Sequence, residues 1–419
     1  MKIKYLIILF LVLVLAVVVY EMLRMEDARI RDIQTAVADE PESPVQLLSR
    51  EELVKIHDKV NYYAIAGNDY FNVLQPRIDE GNNKKVWERL YLKGVNIGVA
   101  MPGYFPVEFS LTFQDYLTWL TDIGKMNSNA IRVYTILPPA FYDALAFYNL
   151  HNHDRKLYLI QGVWAEEPAD RNYFNKEFVN KYQAEIKKTV DVINGNAVLK
   201  PKPGHADGVY VSNVSKFVIG LLLGREWEPK SVLFTNNINK GVTKYTGNFV
   251  TINEGTAMEV WLARMMDFAV HYETQTYLAQ HPVSFVNWLP LDPMSHNFEF
   301  TDSEKIREYD NDLVSLDFLK FNSTELFIPG IYAAYHVYPY YPDYIYLEKK
   351  YRNFQNGKGE DDNFLGYLTD LKKHNGSLPL LIAEYGLPSA RGISHYNTQG
   401  YNQGGHSELE QAHLSSILT

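Results

Sequence analysis

The chain has 419 residues, 46% of them hydrophobic, with a net charge of −10 and a pI near 5.7. That length suits one large barrel or two ordinary domains, and the acidic balance argues against a nucleic-acid partner, because phosphate binding needs a basic face. With no cysteine, disulfide frameworks and thiolate metal sites are excluded, while 31 Tyr and 6 Trp supply rings that suit sugar platforms or core packing.

Lys2 and Lys4 flank the start of Tyr5–Tyr20, a run of sixteen residues without a charge. With Ile3 it reaches the short edge of a membrane span, which needs roughly 17–25 residues. A cleaved leader and an uncleaved anchor compete for this run. It ends Ala-Val-Val-Val-Tyr-Glu with no small-x-small cleavage site, so an anchor over residues 1–22 is expected. Lys2 and Lys4 favour a cytoplasmic N-terminus with the remainder outside, although Arg24, Arg29 and Arg31 stand on the far side. Residues 23–88 read as a stalk, polar and bearing Pro41 and Pro44, followed by a segment that covers the bottom of the next domain. Within it Ser49-Arg-Glu-Glu52 resembles a capping box.

Residues 89–419 carry a rhythm. Short apolar runs recur at Leu92–Ile97, Ala130–Ile136, Leu157–Val163, Val218–Gly224, Val283–Trp288, Ile331–His336 and Leu380–Ala383. Between them lie patterns of helical period: Phe113, Leu117, Leu120 and Ile123; Phe178, Tyr182, Ile186, Val190 and Ile193; Met258, Trp261, Leu262, Met265 and Tyr272. Such alternation predicts βαβ units and a parallel sheet. Seven strands are one short of a (β/α)₈ TIM barrel. Ser407-Glu-Leu-Glu410 opens a helix that has run only to Leu418 when the sequence stops, so the expectation is a barrel whose eighth unit lies beyond Thr419.

Two strands end in carboxylates. Leu380–Ala383 delivers Glu384, after which Tyr385, Gly386 and Pro388 stop the strand; Val218–Gly224 delivers Glu226 and Glu228. In a parallel barrel both ends open into one mouth. A carboxylate pair across a cleft suits glycosidic cleavage, one protonating the leaving oxygen while the other attacks the anomeric carbon. A retaining pair lies roughly 5–5.5 Å apart, in environments that keep one acid protonated.

Residues 90–419 resemble the retaining glycoside hydrolases of clan A, (β/α)₈ enzymes with glutamates ending strands four and seven, and are similar to the barrels of family 2 β-glycosidases and to β-1,3-glucanosyltransferases. The resemblance rests on Lys93-Gly-Val-Asn96, Asn129-Ala-Ile-Arg132-Val-Tyr134, Gly224-Arg-Glu226-Trp and Ala383-Glu384-Tyr-Gly386. It implies Glu226 as acid/base and Glu384 as nucleophile, with Glu228 of Trp227-Glu-Pro229 as the alternative acid/base. The family has Asn before the acid/base, where it holds the sugar 2-hydroxyl; this chain has Arg225, which would favour an acidic or unusually substituted sugar. The resemblance also implies that Arg132 orients and ionises the nucleophile, an opposite charge lowering a carboxylate pKa, and that Tyr338 hydrogen-bonds it. Tyr134, Arg225, Trp227, Asn287, Trp288 and His336 complete the expected substrate-binding set.

No cofactor or metal is expected. His151-Asn-His153-Asp154 sits in a polar loop without further ligands, and Gly400–Gly405 lacks the Lys-Ser/Thr of a phosphate loop and reads as a flap beside the cleft. The expected activity is therefore that of a membrane-anchored retaining β-glycosidase or transglycosylase acting on an extracytoplasmic oligo- or polysaccharide. The alternative is a non-catalytic glycan-binding or polysaccharide-assembly module on the same barrel.

Overall fold

The seven apolar runs become seven parallel strands: β1 (Gly94–Ile97), β2 (Ala130–Val133), β3 (Tyr158–Val163), β4 (Val218–Leu223), β5 (Val283–Phe285, resumed at Asn287–Trp288), β6 (Ala333–His336) and β7 (Leu380–Glu384). The computed structural model describes residues 45–79, 82–105, 108–296 and 312–418, so the expected anchor over residues 1–22 lies outside it. Among the described residues no helix is long and apolar enough to cross a membrane.

Strands β1 to β5 pair in sequence order, and the resumed part of β5 pairs with β6, which pairs with β7. All of these pairings are parallel. The helices α1 (Phe113–Lys125), α2 (Pro139–His151), α3 (Lys176–Ile193), α4 (Pro229–Ile238), α5 (Ala257–Tyr277), α6 (Asn363–Asn375) and α7 (Glu408–Leu418) fall between or after the strands. The result is a mixed α/β fold whose strands follow barrel order through seven units. Among the described residues no eighth strand continues this order after β7, and no backbone ladder joins β7 to β1. Along that seam Gly94 and Asn96 are exposed and Leu380–Ile382 are only half-buried.

Local chemistry explains the helix boundaries. Thr112 and Asp115 form a capping box at α1, as do Thr256 and Glu259 at α5, each satisfying two backbone donors that a helix start leaves unpaired. Asn175 caps α3 through its side chain, and α2 and α4 begin with proline, which lacks a donor to lose. The apolar stripe read from the sequence in α3, Phe178, Tyr182, Ile186, Val190 and Ile193, is its buried face, whereas in α1 Leu120 and Ile123 are buried with Tyr116, Leu117 is half-buried and Phe113 is exposed. Helix α5 differs, being buried on nearly every side.

The segment before β1 covers the end of the parallel strands opposite their C-termini. Ala64–Gly67, Tyr70–Asp79 and Asn82–Leu90 form an antiparallel sheet. Ala66 N donates to Pro329 O at 2.7 Å and Asp69 N to Ser377 O at 2.9 Å, residues that precede β6 and β7. Asn61–Tyr62 pairs in parallel with Ala279–Gln280, just before β5. Ala64, Ala66, Phe71 and Val73 pack with Tyr158, Ile160, Ile219, Leu222, Val286, Tyr332, Ala334 and Ala383 from the strands. A buried side chain such as Phe71 contributes about 1.5–3 kcal/mol. The space between the strands is thereby filled from below, leaving the strand C-termini as the open mouth.

One polar link ties α5 to the strands. His281 Nδ1 lies 2.6 Å from Glu273 Oε1, both side chains fully buried, and Nε2 lies 2.8 Å from Ser215 O. Burial alone would lower the His281 pKa, but Glu273 and the Ser215 carbonyl overcome it and hold the value above the ordinary 6.5. A raised folded-state pKa stabilises most below the unfolded value, and that contribution is lost as pH rises through the folded one. His281→Ala is expected to cost about 3–5 kcal/mol in urea unfolding, because Glu273 is left without its buried partner. The double replacement His281→Leu/Glu273→Leu is expected to recover most of that loss.

Candidate active site

Glu384 sits at the end of β7 with its side chain 11% exposed, surrounded by donors. Arg132 Nη1 from the inward face of β2 lies 2.7 Å from Oε1, and the Tyr338 hydroxyl beyond β6 donates to Oε2 at 2.7 Å. The Arg132 guanidinium packs 4.4 Å from the Tyr134 ring centroid, and the Tyr134 hydroxyl faces Glu384. Burial pushes the Glu384 carboxyl up, yet His336, Arg132 and Tyr338 together outweigh it and hold the group below its usual range. Burial and the Glu384 charge in turn push the Tyr338 hydroxyl far up, so it remains a donor.

His336, at the end of β6, stands between the two strand-end acids. Its Nδ1 is 2.9 Å from Glu226 Oε1 and its Nε2 is 3.3 Å from Glu384 Oε1. One oxygen from each carboxylate lies within 4.8 Å of the other, with the His336 ring nitrogen inside the same limit. Glu226 is the more open of the two, its side chain 39% exposed against 11% for Glu384. One carboxylate is thus deep and pinned by Arg132 and Tyr338, and the other is shallow and faces the mouth.

The route to Glu226 depends on a turn. Gly224 takes φ +89°, a region that costs a side-chain-bearing residue about 1–3 kcal/mol, and a Cβ there would fall 1.9 Å from the Trp227 ring. The turn folds Trp227 back into the core against Tyr173 and Trp261 while Glu226 points outward. Under the mouth Gly162 does similar work, since a Cβ on it would lie 2.4 Å from the carbonyls of Val133 and Tyr134.

Several expected substrate contacts take other positions. Trp227 is fully buried, so its indole is core and not a sugar platform. Asn287 is also fully buried, donating to Leu316 O at 2.9 Å and accepting from Trp288 N at 2.9 Å, which uses its amide within the fold. Trp288 is half-buried and donates from Nε1 to Trp227 O at 3.0 Å. Glu228 occupies the N-cap position of α4, its carbonyl accepting from Ser231 and Val232, and it is Glu226 that meets His336. Arg225 is half-buried, with its guanidinium carbon 5.7 Å from the centroid of Trp164, an exposed ring at the end of β3. Arg132, Tyr134, His336, Tyr338, Glu226 and Glu384 do converge.

Sequence reasoning passed over three residues that belong here. Asn96 at the end of β1 donates from Nδ2 to Ala383 O at 2.9 Å. Tyr340 stacks on Tyr338 with centroids 5.1 Å apart, and Trp164 lines the rim. Asn96 stood inside a quoted motif; the other two carried no signal beyond being aromatic near a strand end. Among the described residues a second group, Asp292, His296 and Asp312, brings ligand-type atoms within 4.8 Å, but Asp292 is already occupied by Tyr344, Tyr367, His296 and the Met294 amide. His151 and His153 are exposed, and the His151 ring nitrogen contacts Phe147 O at 2.8 Å. The Gly400–Gly405 stretch is tied down by pairing of Gln403–Gly404 with Ile393–His395.

No family model matches this chain, and no curated protein does. Among solved structures it is similar to an endo-laminarinase from Formosa Hel1_33_131, at 13% identity and TM-score 0.42 over 78% of this chain and 73% of that one. It is also similar to a sugar phosphate isomerase/epimerase from Parabacteroides distasonis ATCC 8503, at 12% identity and TM-score 0.29 over 75% and 92%.

Proposed function

We propose that this protein is a retaining β-glycoside hydrolase or transglycosylase acting on an oligo- or polysaccharide. The observation that carries this reading is the approach of Glu226 and Glu384, whose nearest oxygens lie within 4.8 Å of each other. An approach inside that limit is compatible with the roughly 5–5.5 Å between the groups of a retaining pair and is closer than the roughly 6.5–9.5 Å that an inverting pair needs to admit water.

Glu384 is the nucleophile in this reading. Its carboxylate attacks the anomeric carbon as the glycosidic C–O bond breaks, while Glu226 gives its proton to the leaving oxygen. In the second step Glu226 takes a proton from water or an acceptor hydroxyl, whose oxygen attacks the same carbon and frees Glu384. The ring of His336 suits this division. Its Nδ1 meets Glu226 and its Nε2 faces Glu384, so a single ring links both carboxylates. Arg132 and Tyr338 keep Glu384 ionised in a site that burial would otherwise neutralise.

The reading extends to location. The uncharged run Tyr5–Tyr20 behind Lys2 and Lys4 supports an anchor, with the barrel and its polymer outside the cytoplasm. Incubation with a panel of activated 2-deoxy-2-fluoro-β-glycosides, followed by peptide mapping, tests the chemistry. A stable glycosyl ester on Glu384 is expected. Turnover of a natural glycan without such an ester, or with the label on another residue, would overturn the assignment.

A further inference from the structure

Glu384 is aimed by an irregularity in β7. Tyr335 pairs with Ile382 and His336 with Glu384, so Ala383 is left out of the β6–β7 register. Such a bulge inserts one residue, bends the strand and re-aims the side chains that follow. On the β6 side the strand is held again at once, since Val337 N donates to Glu384 O at 2.9 Å. On the other side no backbone ladder joins β7 to β1 among the described residues.

We propose that Asn96 is a positioning residue for Glu384, its side-chain amide supplying across the open seam the hold that a neighbouring strand would otherwise give. Asn96 pairs in register with Arg132 on β2, so both side chains point to the same inward face. Its Nδ2 donates to the carbonyl of bulged Ala383 at 2.9 Å, and Arg132 Nη1 reaches the same oxygen at 3.5 Å. The Tyr134 hydroxyl faces both the Asn96 amide and Glu384. One amide therefore fixes the peptide immediately before the nucleophile and touches a phenol that faces it. Without that hydrogen bond the bulge can relax and the carboxylate can swing out of line. A displacement near 1 Å at a reacting atom costs on the order of 10²-fold in rate.

This inference rests on the reading of Glu384 as nucleophile, and the experiment separates the two. Wild type, Asn96→Ala, Asn96→Asp and Asn96→Gln are treated with the activated 2-fluoro-β-glycoside that labels wild type best, and inactivation rate constant and inhibitor Ki are measured separately. Asn96→Ala is expected to slow inactivation about 10²-fold with little change in Ki. Asn96→Asp is expected to be slowed too, with its acid limb moved to higher pH because a second carboxylate faces Glu384. Asn96→Gln, which keeps the donor, is expected to recover part of the rate. Thermal unfolding is recorded for all four, so a merely structural role shows as a lowered Tm with normal rate constants in the folded protein. Normal rate constants in the Ala variant, or an unmoved acid limb in the Asp variant, would overturn the positioning role. Failure to label Glu384 in wild type would overturn the reading beneath it.

Discussion

Glu384→Ala is expected to lower kcat/KM by about 10⁴-fold or more on any glycan the wild type cleaves, the scale seen when a covalent nucleophile is removed. Added azide should restore turnover by filling the space the carboxylate leaves. Because azide then attacks the anomeric carbon directly, the product should be a glycosyl azide of inverted configuration. Glu226→Ala should behave differently: substrates with good leaving groups should still form the glycosyl-enzyme, and azide should yield the retained anomer. Glu228→Ala should retain most activity, since Glu228 stands at the start of α4 and it is Glu226 that meets His336. The pH profile adds a separate check. A carboxylate held below its usual range loses activity only as pH falls through that lowered value, so the acid limb of kcat/KM should lie below the ordinary glutamate pKa. Arg132→Gln removes the cation 2.7 Å from Glu384, favours the protonated form, and should move that limb to higher pH.

Gly224→Ala is expected to cost roughly 2–6 kcal/mol, combining the strain of a left-handed backbone with the overpacking of a full core. The new Cβ would fall 1.9 Å from one Trp227 ring carbon and 2.3 Å from another, and Trp227 has no free volume because Tyr173 and Trp261 pack against it. The indole has to move, and Glu226 lies between the two residues. Lost activity should therefore exceed what the unfolded fraction accounts for. Urea unfolding and initial rates on the same samples measure both effects. Adding Trp227→Leu to Gly224→Ala should relieve the steric part and leave the backbone strain, so stability should return only in part.

The order of the parallel strands was legible because buried parallel strands are apolar on both faces, and that property survives in a linear string. The ends of β4 and β7 stood out for the same reason: a carboxylate three residues after Leu223 or directly after Ala383 has few places to go but the mouth. What the string hides is direction. Trp227 next to Glu226 reads as a platform, yet the left-handed turn at Gly224 sends the indole inward. Asn287 at the end of β5 reads as a ligand, yet its amide closes a link to Leu316, 29 residues further on. The bulge at Ala383 carries no local signature, since it is defined against a partner strand 47 residues earlier, as Tyr335 stands to Ile382, and the importance of Asn96 follows from that bulge. His336 reads as one more strand-end polar group until β4, β6 and β7 are curved around it.

The cover over the barrel bottom has a kinetic consequence. Its hydrogen bonds reach from Asn61 to Leu278, from Ala66 to Pro329 and from Asp69 to Ser377, separations of more than two hundred residues. Contacts of such high order are slow to form, because the intervening chain must be gathered first. Of the described chain this cover is among the first parts to leave a ribosome, yet these backbone bonds have no partners until the residues before β5, β6 and β7 have been made. Amide protection in Ala64–Gly67 should therefore appear after protection in β2, β3 and β4 during refolding, which makes closure of the bottom a late event in the assembly of the mouth above it.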